Sequence, residues 1–198
     1  MKTLGRSIGL TITGGSLDLS PKGDAILAGW PSASAKGSNE VRALSRSSET
    51  IRKYKLDIDF APTNRGWVGG RQDKFRGKLV AGKLDGTDAF VIGKPNYRSV
   101  AAMSLQGTQL WKYETSGRGV TDAGINDVAI GSIGGHSVVV VGTFDHAVHI
   151  LAGNGSRLDS WTYPTNVMNV ACGKIKGKDA IAVGLFNGQV LTYITEPS

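Results

Sequence analysis

An all-β chain built of repeated antiparallel meanders is what this sequence predicts, and three observations predict it. Residues 127–163 read DVAIGSIGGHSVVVVGTFDHAVHILAGNGSRLDSWTY, four runs of β-branched and aromatic residues parted by Gly, Asn and Asp. Such runs form strands, and such gaps form tight turns. The pattern recurs: ILAG ends at Gly29, FVIG at Gly93, VVVG at Gly142 and IAVG at Gly184, at intervals of 64, 49 and 42 residues. Glycine is abundant at 28 and proline scarce at 6, which fits many tight turns and neither a collagenous nor a disordered chain. A repeat of about 40–50 residues carrying four strands is the signature of a propeller blade. The predicted fold is therefore an all-β propeller of about four four-stranded blades.

The units follow in order. The first, about 10–56, opens with LTITGGSLDL (10–19), turns at SPKGD and continues as AILAGW (25–30). A polar loop, 31–39, leads to EVRALS (40–45) and ETIRKYKL (49–56). An insertion at 57–78 accounts for the long first interval. The second unit, 78–115, reads KLVAGKL, DAFVIGK, SVAAMSL and QLWKYET. The third is 127–163. The fourth, 169–194, gives NVACGKI, DAIAVGLF and QVLTYI, with no outer strand after them. Residues 2–8, KTLGRSI, are placed to supply that strand by pairing with 189–194, which would close a ring of four blades. The other reading is one portion of a larger ring, whose open strand edges invite pairing with other chains.

These motifs resemble β-propellers of the quinoprotein-like (PQQ-repeat) and WD40-like kind. VGTFDHAVHILAGNG resembles the quinoprotein pattern of a glycine strand, an acidic turn and a V-x-x-L strand, and VGLFNGQVLTYI (183–194) repeats it. GTQLWKY (107–113) matches that family's Gly-x-x-x-Trp ending through Gly107 and Trp111. SLDLSPKGDAILAG (16–29) resembles the WD40 strand pair around F-S-P-D-G. The departures are specific: the chain has no Trp-Asp dipeptide, Trp161 follows Gly155 at another spacing, and the first unit has Tyr54 where others have Trp-x-Tyr. The resemblance implies the propeller superfamily. The quinone-dependent enzymes within it are implied to need a full-sized ring and calcium ligands.

Charge separates along the chain. Residues 1–100 hold 17 Lys/Arg against 9 Asp/Glu, and residues 101–198 hold 6 against 7. Such segregation speaks to partners. The insertion concentrates it: Arg65, Arg71, Lys74, Arg76 and Lys78 stand with Asp73, interleaved with Trp67, Phe75 and four glycines. Cations attract phosphates and aromatic rings stack on unpaired bases, so Arg65, Trp67, Arg71, Lys74, Phe75, Arg76 and Lys78 form a candidate grip on RNA or an acidic protein. The bland alternative is a solvated connection between blades. GGRQDKFRGK lacks P-loop spacing and a following helix.

Other chemistry-bearing residues read as structural. Asp85 and Asp88 flank Gly86 in a plain hairpin turn, and the equivalent turns are too acid-poor for calcium. His136, His146 and His149 read as turn or surface imidazoles, with no cluster to complete a metal shell. Cys172 reads as a small apolar residue of an inner strand. Trp111 and Trp161, with Tyr113 and Tyr163, hold equivalent outer-strand positions, and such repetition argues for packing between blades.

The sequence therefore points to no catalytic residue, metal or cofactor, and to no small-molecule substrate. No run approaches the roughly 18 apolar residues of a membrane helix. One cysteine and a broken apolar N-terminal stretch favour an intracellular site. The expected function is a non-catalytic scaffold that binds other protein subunits. An RNA-associated propeller using 65–78 is the alternative, and a quinone-dependent or carbohydrate-active enzyme fragment a third reading.

Overall fold

The computed structural model describes the backbone of residues 11–17, 25–30, 40–44 and 50–55, and backbone and side chains of 78–93, 98–115 and 124–195. Strands β1 (Thr11–Leu17), β2 (Ala25–Trp30), β3 (Glu40–Leu44) and β4 (Thr50–Lys55) form one antiparallel sheet in chain order. Strands β5 (Lys78–Leu84), β6 (Thr87–Gly93), β7 (Ser99–Ser104) and β8 (Gln109–Glu114) form the second. Strands β9 (Ile125–Ile133), β10 (His136–Thr143), β11 (Ala147–Ala152) and β12 (Arg157–Thr162) form the third. Strands β13 (Val167–Ile175), β14 (Lys178–Leu185) and β15 (Val190–Ile194) form the fourth, which has three strands among the described residues. Neighbouring sheets stack through their first strands: β1 lies along β5, β5 along β9, and β9 along β13. Each sheet is thus a propeller blade, and the first strands line the inner side of the arc.

Period-two alternation gives every blade two faces. We term forward the face turned to the next blade in the chain, and rear the face turned to the preceding one. Val80, Leu84, Val91 and Ala102 on the forward face of the second blade pack against Val128, Val139, Val141 and Leu151 on the rear of the third. Ala129, Val138, Val140 and Ile150 on the forward face of the third pack against Val170, Ile181 and Val183 of the fourth. Val138 through Val141 are all buried because their strand has a blade on either side. Burying each such side chain contributes about 1.5–3 kcal/mol, so these seams hold single meanders that would be marginal alone.

The turns follow the local sequence. Asp85–Gly86, Gly134–Gly135 and Lys176–Gly177 join first to second strands, and each pair has positive φ at both residues. That is the two-residue hairpin whose twist matches the flanking strands, and it is why glycine recurs there. Expected strand limits hold to within two residues. The extensions lie at Ile125 and Val167, where bulges shift the pairing at Gly142/Thr143 and Val167/Asn169.

Candidate functional site

A seam between two blades is built from three recurring contacts. The first is a socket at a first-strand glycine. A Cβ added at Gly82 would meet Ile130 Cγ2 at 3.1 Å, and one at Gly131 would run into Cys172, with its Sγ at 3.0 Å. The second is a socket at the second-strand glycine. A Cβ on Gly93 would lie 2.5 Å from Ile125 Cγ2, and one on Gly142 would lie 2.7 Å from Val167 Cγ1 and 3.1 Å from Val170 Cγ1. Each glycine lets the next blade press a branched or small side chain against backbone, a close approach that any Cβ would block. The third contact joins the turn after the first strand to the second strand of the next blade. Asp85 N–H donates to Ser137 Oγ at 2.9 Å, and Gly134 N–H donates to Asp179 Oδ2 at 2.9 Å.

The fourth blade carries the same receptors with nothing seated on them among the described residues. A Cβ on Gly173 would meet nothing within 4 Å, and one on Gly184 would meet its own sheet's Asn169 Cβ at 3.6 Å. Lys176 holds the turn position of Asp85 and Gly134, since register aligns Gly173 and Gly184 with Gly131 and Gly142. The central strands report the difference directly. Strand β10 is buried on both faces from Val138 onward, whereas β14 alternates, with Ala182 and Gly184 half-exposed. Val190 is 70% exposed and Ile194 47% on the forward side of β15. Among the described residues no strand pairs with the far edge of β15.

A groove of about 650 Å³ lies where the outer part of this blade meets the third. Leu158, Trp161, Ile181, Tyr193 and Ile194 line it, with Asp85, Asp159 and His136 at its margin. In the seam between the second and third blades the matching tryptophan is fully engaged: Trp111 Nε1–H donates to the Gly153 carbonyl at 2.8 Å across the blades. Trp161 instead donates to Asp159 Oδ2 of its own strand at 2.9 Å, and its ring lies over Tyr193 at 4.6 Å. The turn that receives Trp111 follows β11. In the fourth blade Thr195 holds the register position of Gly153, and its N–H and Oγ1–H both donate to the Asp179 carbonyl, at 2.9 and 3.1 Å. The Tyr163 hydroxyl donates to the Tyr193 hydroxyl at 3.0 Å, and burial together with that bond pushes the Tyr163 phenol well above its ordinary range.

Inner-strand polar residues form a row at one register position. Lys78 pairs with Asp127 at 3.5 Å, and Asp127 Oδ2 accepts from Val170 N–H at 3.0 Å and Asn169 Nδ2 at 3.4 Å. Lys78 of the basic set therefore opens β5 and is held by the third blade's carboxylate. Arg65, Trp67, Arg71, Lys74, Phe75 and Arg76 lie outside the described residues, as do loop 31–39 and the pairing expected of 2–8 with 189–194.

The histidines are placed differently from one another. His136 is exposed at a strand end and His146 sits in a turn with φ of 70°. His149 corrects the expectation of a surface imidazole, because it is 4% exposed between the second and third blades. Its Nδ1 meets the Tyr113 hydroxyl at 3.1 Å, and its Nε2 has no partner among the described residues. Burial lowers its pKa, with Asp145 opposing and Arg157 reinforcing the shift. His149 faces Val141 on β10 while His136 begins that strand, so the two stand about 16 Å apart along it, at about 3.3 Å per residue. Asp85 and Asp88 take the hairpin roles expected of them, with Asp88 paired to Lys83 at 2.7 Å. Cys172 is half-buried in a seam, and burial pushes its thiol up to about 11.

The second-strand glycines were legible as the repeat marker. The first-strand sockets were missed, although Gly82, Gly131 and Gly173 each precede the marker by eleven residues.

No protein-family model matches the chain, and no curated protein matches it in sequence. Solved structures do. A crystal structure of BBS1N in complex with ARL6DN, soaked with mercury, matches at TM-score 0.57 and 15% identity over 85% of this chain and 46% of that one. The same complex soaked with lead matches at TM-score 0.59 and 15% identity over 93% of this chain and 50% of that one. The chain spans about half the length of these solved chains. At such identity the likeness is one of fold, and the fold is that of a β-propeller.

Proposed function

We propose that the chain is a non-catalytic propeller that docks other protein subunits, and that the open flank of its fourth blade is the docking surface. The observation that carries this is the pair of sockets at Gly173 and Gly184, which the next blade fills in the preceding seams and on which no other blade sits among the described residues. An apolar sheet face beside an unpaired strand edge is a surface on which proteins associate. The BBS1N structures are complexes with a protein, ARL6DN, which supports reading a propeller of this shape as a binding platform. Within propellers, the Gly107…Trp111 ending supports quinoprotein-like repeats used as scaffold.

Lysine-directed footprinting tests this. Lys176 and Lys178 border the open flank and are exposed. Complex formation should protect these two, and Gly184→Trp should abolish the complex. Protection confined to other lysines would refute the assignment.

A second reading has its own support in the charge separation of 17 cations to 9 anions over residues 1–100. In it, the set 65–78 grips RNA. Log affinity should then fall steeply with log salt, by about 0.7 per phosphate contact on a single strand. A flat slope, or no loss on changing Arg65, Arg71 and Arg76 to alanine, would remove this reading.

A further inference from the structure

Trp111 and Trp161 head the same Trp-x-Tyr motif, yet they stand at different register positions. Strand β7 pairs Ala102 with Trp111, and β11 pairs Ile150 with Asp159. Ala102 and Ile150 are equivalent, because the strands carrying them pair Val100 with Gly93 and Val148 with Gly142. Asp159 therefore holds the place of Trp111, and Trp161 holds that of Tyr113. The slip is visible in the sequence: Trp111 follows Gly107 by four residues, and Trp161 follows Gly155 by six.

The groove of about 650 Å³ is the consequence. In the preceding seam the Trp111 indole donates to the Gly153 carbonyl and presses on the turn beyond it, so that a Cβ on Gly155 would lie 2.6 Å from two of its ring atoms. Asp159 and Thr195, the counterparts of Trp111 and Gly153, both line the groove. Leu84 is 3% exposed in the seam that Trp111 covers, while its counterpart Ile133, which lines the groove, is half-buried. The groove thus lies where an indole lies one blade earlier.

The lining sets the chemistry of an occupant. Ile133, Val138, Ile150 and Ile181 give apolar walls that suit a flat ring. Trp161 and Tyr193 add aromatic surface, with ring centroids 4.6 Å apart. Asp85 and Asp159 bring two carboxylates, and the described lining residues include no lysine or arginine. Asp159 is held in place: its Oδ2 accepts from Trp161 Nε1–H at 2.9 Å and its Oδ1 from Ser160 N–H at 2.7 Å. Each oxygen keeps capacity for a further donor. Aromatic faces beside carboxylates attract an organic cation. We propose that this groove binds an arylalkyl ammonium, a flat aromatic ring on a short chain that ends in a protonated amine. The ring takes the place of the Trp111 indole, and the ammonium lies against Asp159. A volume of this size is usual for a small-molecule site. The groove lies between the third and fourth blades, on the opposite side of the fourth blade from the proposed docking surface, and does not depend on that reading.

Tryptamine is the probe, titrated into the full chain carrying isotope-labelled nitrogen and followed by NMR, in which the unlabelled amine is silent. Trp→Phe variants assign the indole N–H signals of the chain. The Trp161 signal should shift and saturate, while that of Trp111 stays in place. Indoleacetate has the same ring with a negative arm, and butylammonium has the charge without the ring. Both should bind at least about tenfold more weakly than tryptamine. Asp159→Trp restores the side chain of the preceding seam and should abolish binding. Asp159→Asn keeps the shape at an exposed position and removes the charge, so it tests the site even where Asp159→Trp fails to fold. In it tryptamine should weaken by about tenfold and lose its advantage over indoleacetate. A Trp161 signal that millimolar tryptamine leaves unmoved overturns the proposal. So does binding that survives Asp159→Trp, which would put the ligand elsewhere. Equal affinity of the wild type for indoleacetate, or undiminished tryptamine binding by Asp159→Asn, overturns the cationic class. Protection of Lys176 and Lys178 by a protein partner should persist in Asp159→Asn, so the docking surface and this site stand or fall separately.

Discussion

Gly142 and Gly184 are the same residue at the same repeat position, one with a blade seated on it and one, among the described residues, without. Replacing each by alanine separates the seam's contribution from that of the strand. Neither glycine has positive φ, so the backbone accepts alanine at both. At Gly142 the new methyl would stand 2.7 Å from Val167 Cγ1 and 3.1 Å from Val170 Cγ1. Val167 is fully buried, so relief requires the fourth blade to move. Overpacking of this kind costs about 1–3 kcal/mol, offset by about 0.4–1 kcal/mol from a less flexible unfolded chain. At Gly184 the methyl would lie 3.6 Å from Asn169 Cβ, an ordinary contact, so the offset remains without the cost. The expected result is a loss of up to about 2.6 kcal/mol for Gly142→Ala and a gain of up to about 1 kcal/mol for Gly184→Ala. Urea unfolding measures both, and about 2–4 °C in Tm accompanies each kcal/mol at this size. Equal effects at the two positions would refute the socket account of the seams.

Other predictions follow from the same geometry. Burial keeps His149 neutral in the fold, so its folded pKa lies below the ordinary 6.5 and the unfolded chain binds its proton first. Its contribution to stability is present above pH 6.5 and is lost as pH falls below it, by at most about 1.4 kcal/mol per pH unit. Urea midpoints from pH 8 to 5 should show this slope in the wild type and a shallower one in His149→Gln. Trp111→Phe removes a bond to the Gly153 carbonyl across a seam and should cost about 1–2 kcal/mol. Trp161→Phe loses a bond to an exposed carboxylate and should cost below about 0.5 kcal/mol. Cys172, with its thiol pushed from 9.0 to about 11, should be alkylated at pH 8 about a hundredfold more slowly in the fold than in urea.

Much of the fold was legible because a blade is a local object. The meander 127–163 shows its strands as unbroken β-branched runs and its turns as Gly, Asn and Asp, so adjacent strands pair as the chain order dictates. The repeat of Trp111 and Trp161 correctly announced contacts between blades, because both rings pack into seams. What stayed hidden depends on partners distant in sequence. His149 sits in a run, AVHILA, whose alternation cannot say which face a neighbouring blade will cover, and the second blade covers it through Tyr113. The sockets were hidden for a related reason. A glycine in a strand reads as a turn signal or a weak point until the residue that presses on it is known, and for Gly142 that residue lies 25 positions downstream at Val167. Lys78 looked like one more cation of a basic loop, and its carboxylate partner, Asp127, lies on another blade.

The inner row of Lys78, Asp127 and Asn169 bears on how such an array can grow. Each of these residues grips a neighbour at the same height, so the angle between successive sheets is fixed locally, step by step. No residue needs information about the total. Adding or deleting a sheet would leave every other joint as it was, and the sweep of the arc would change by one increment. Lineages of such chains can therefore vary in length through duplication of a single module, with selection acting afterwards on the two end faces alone.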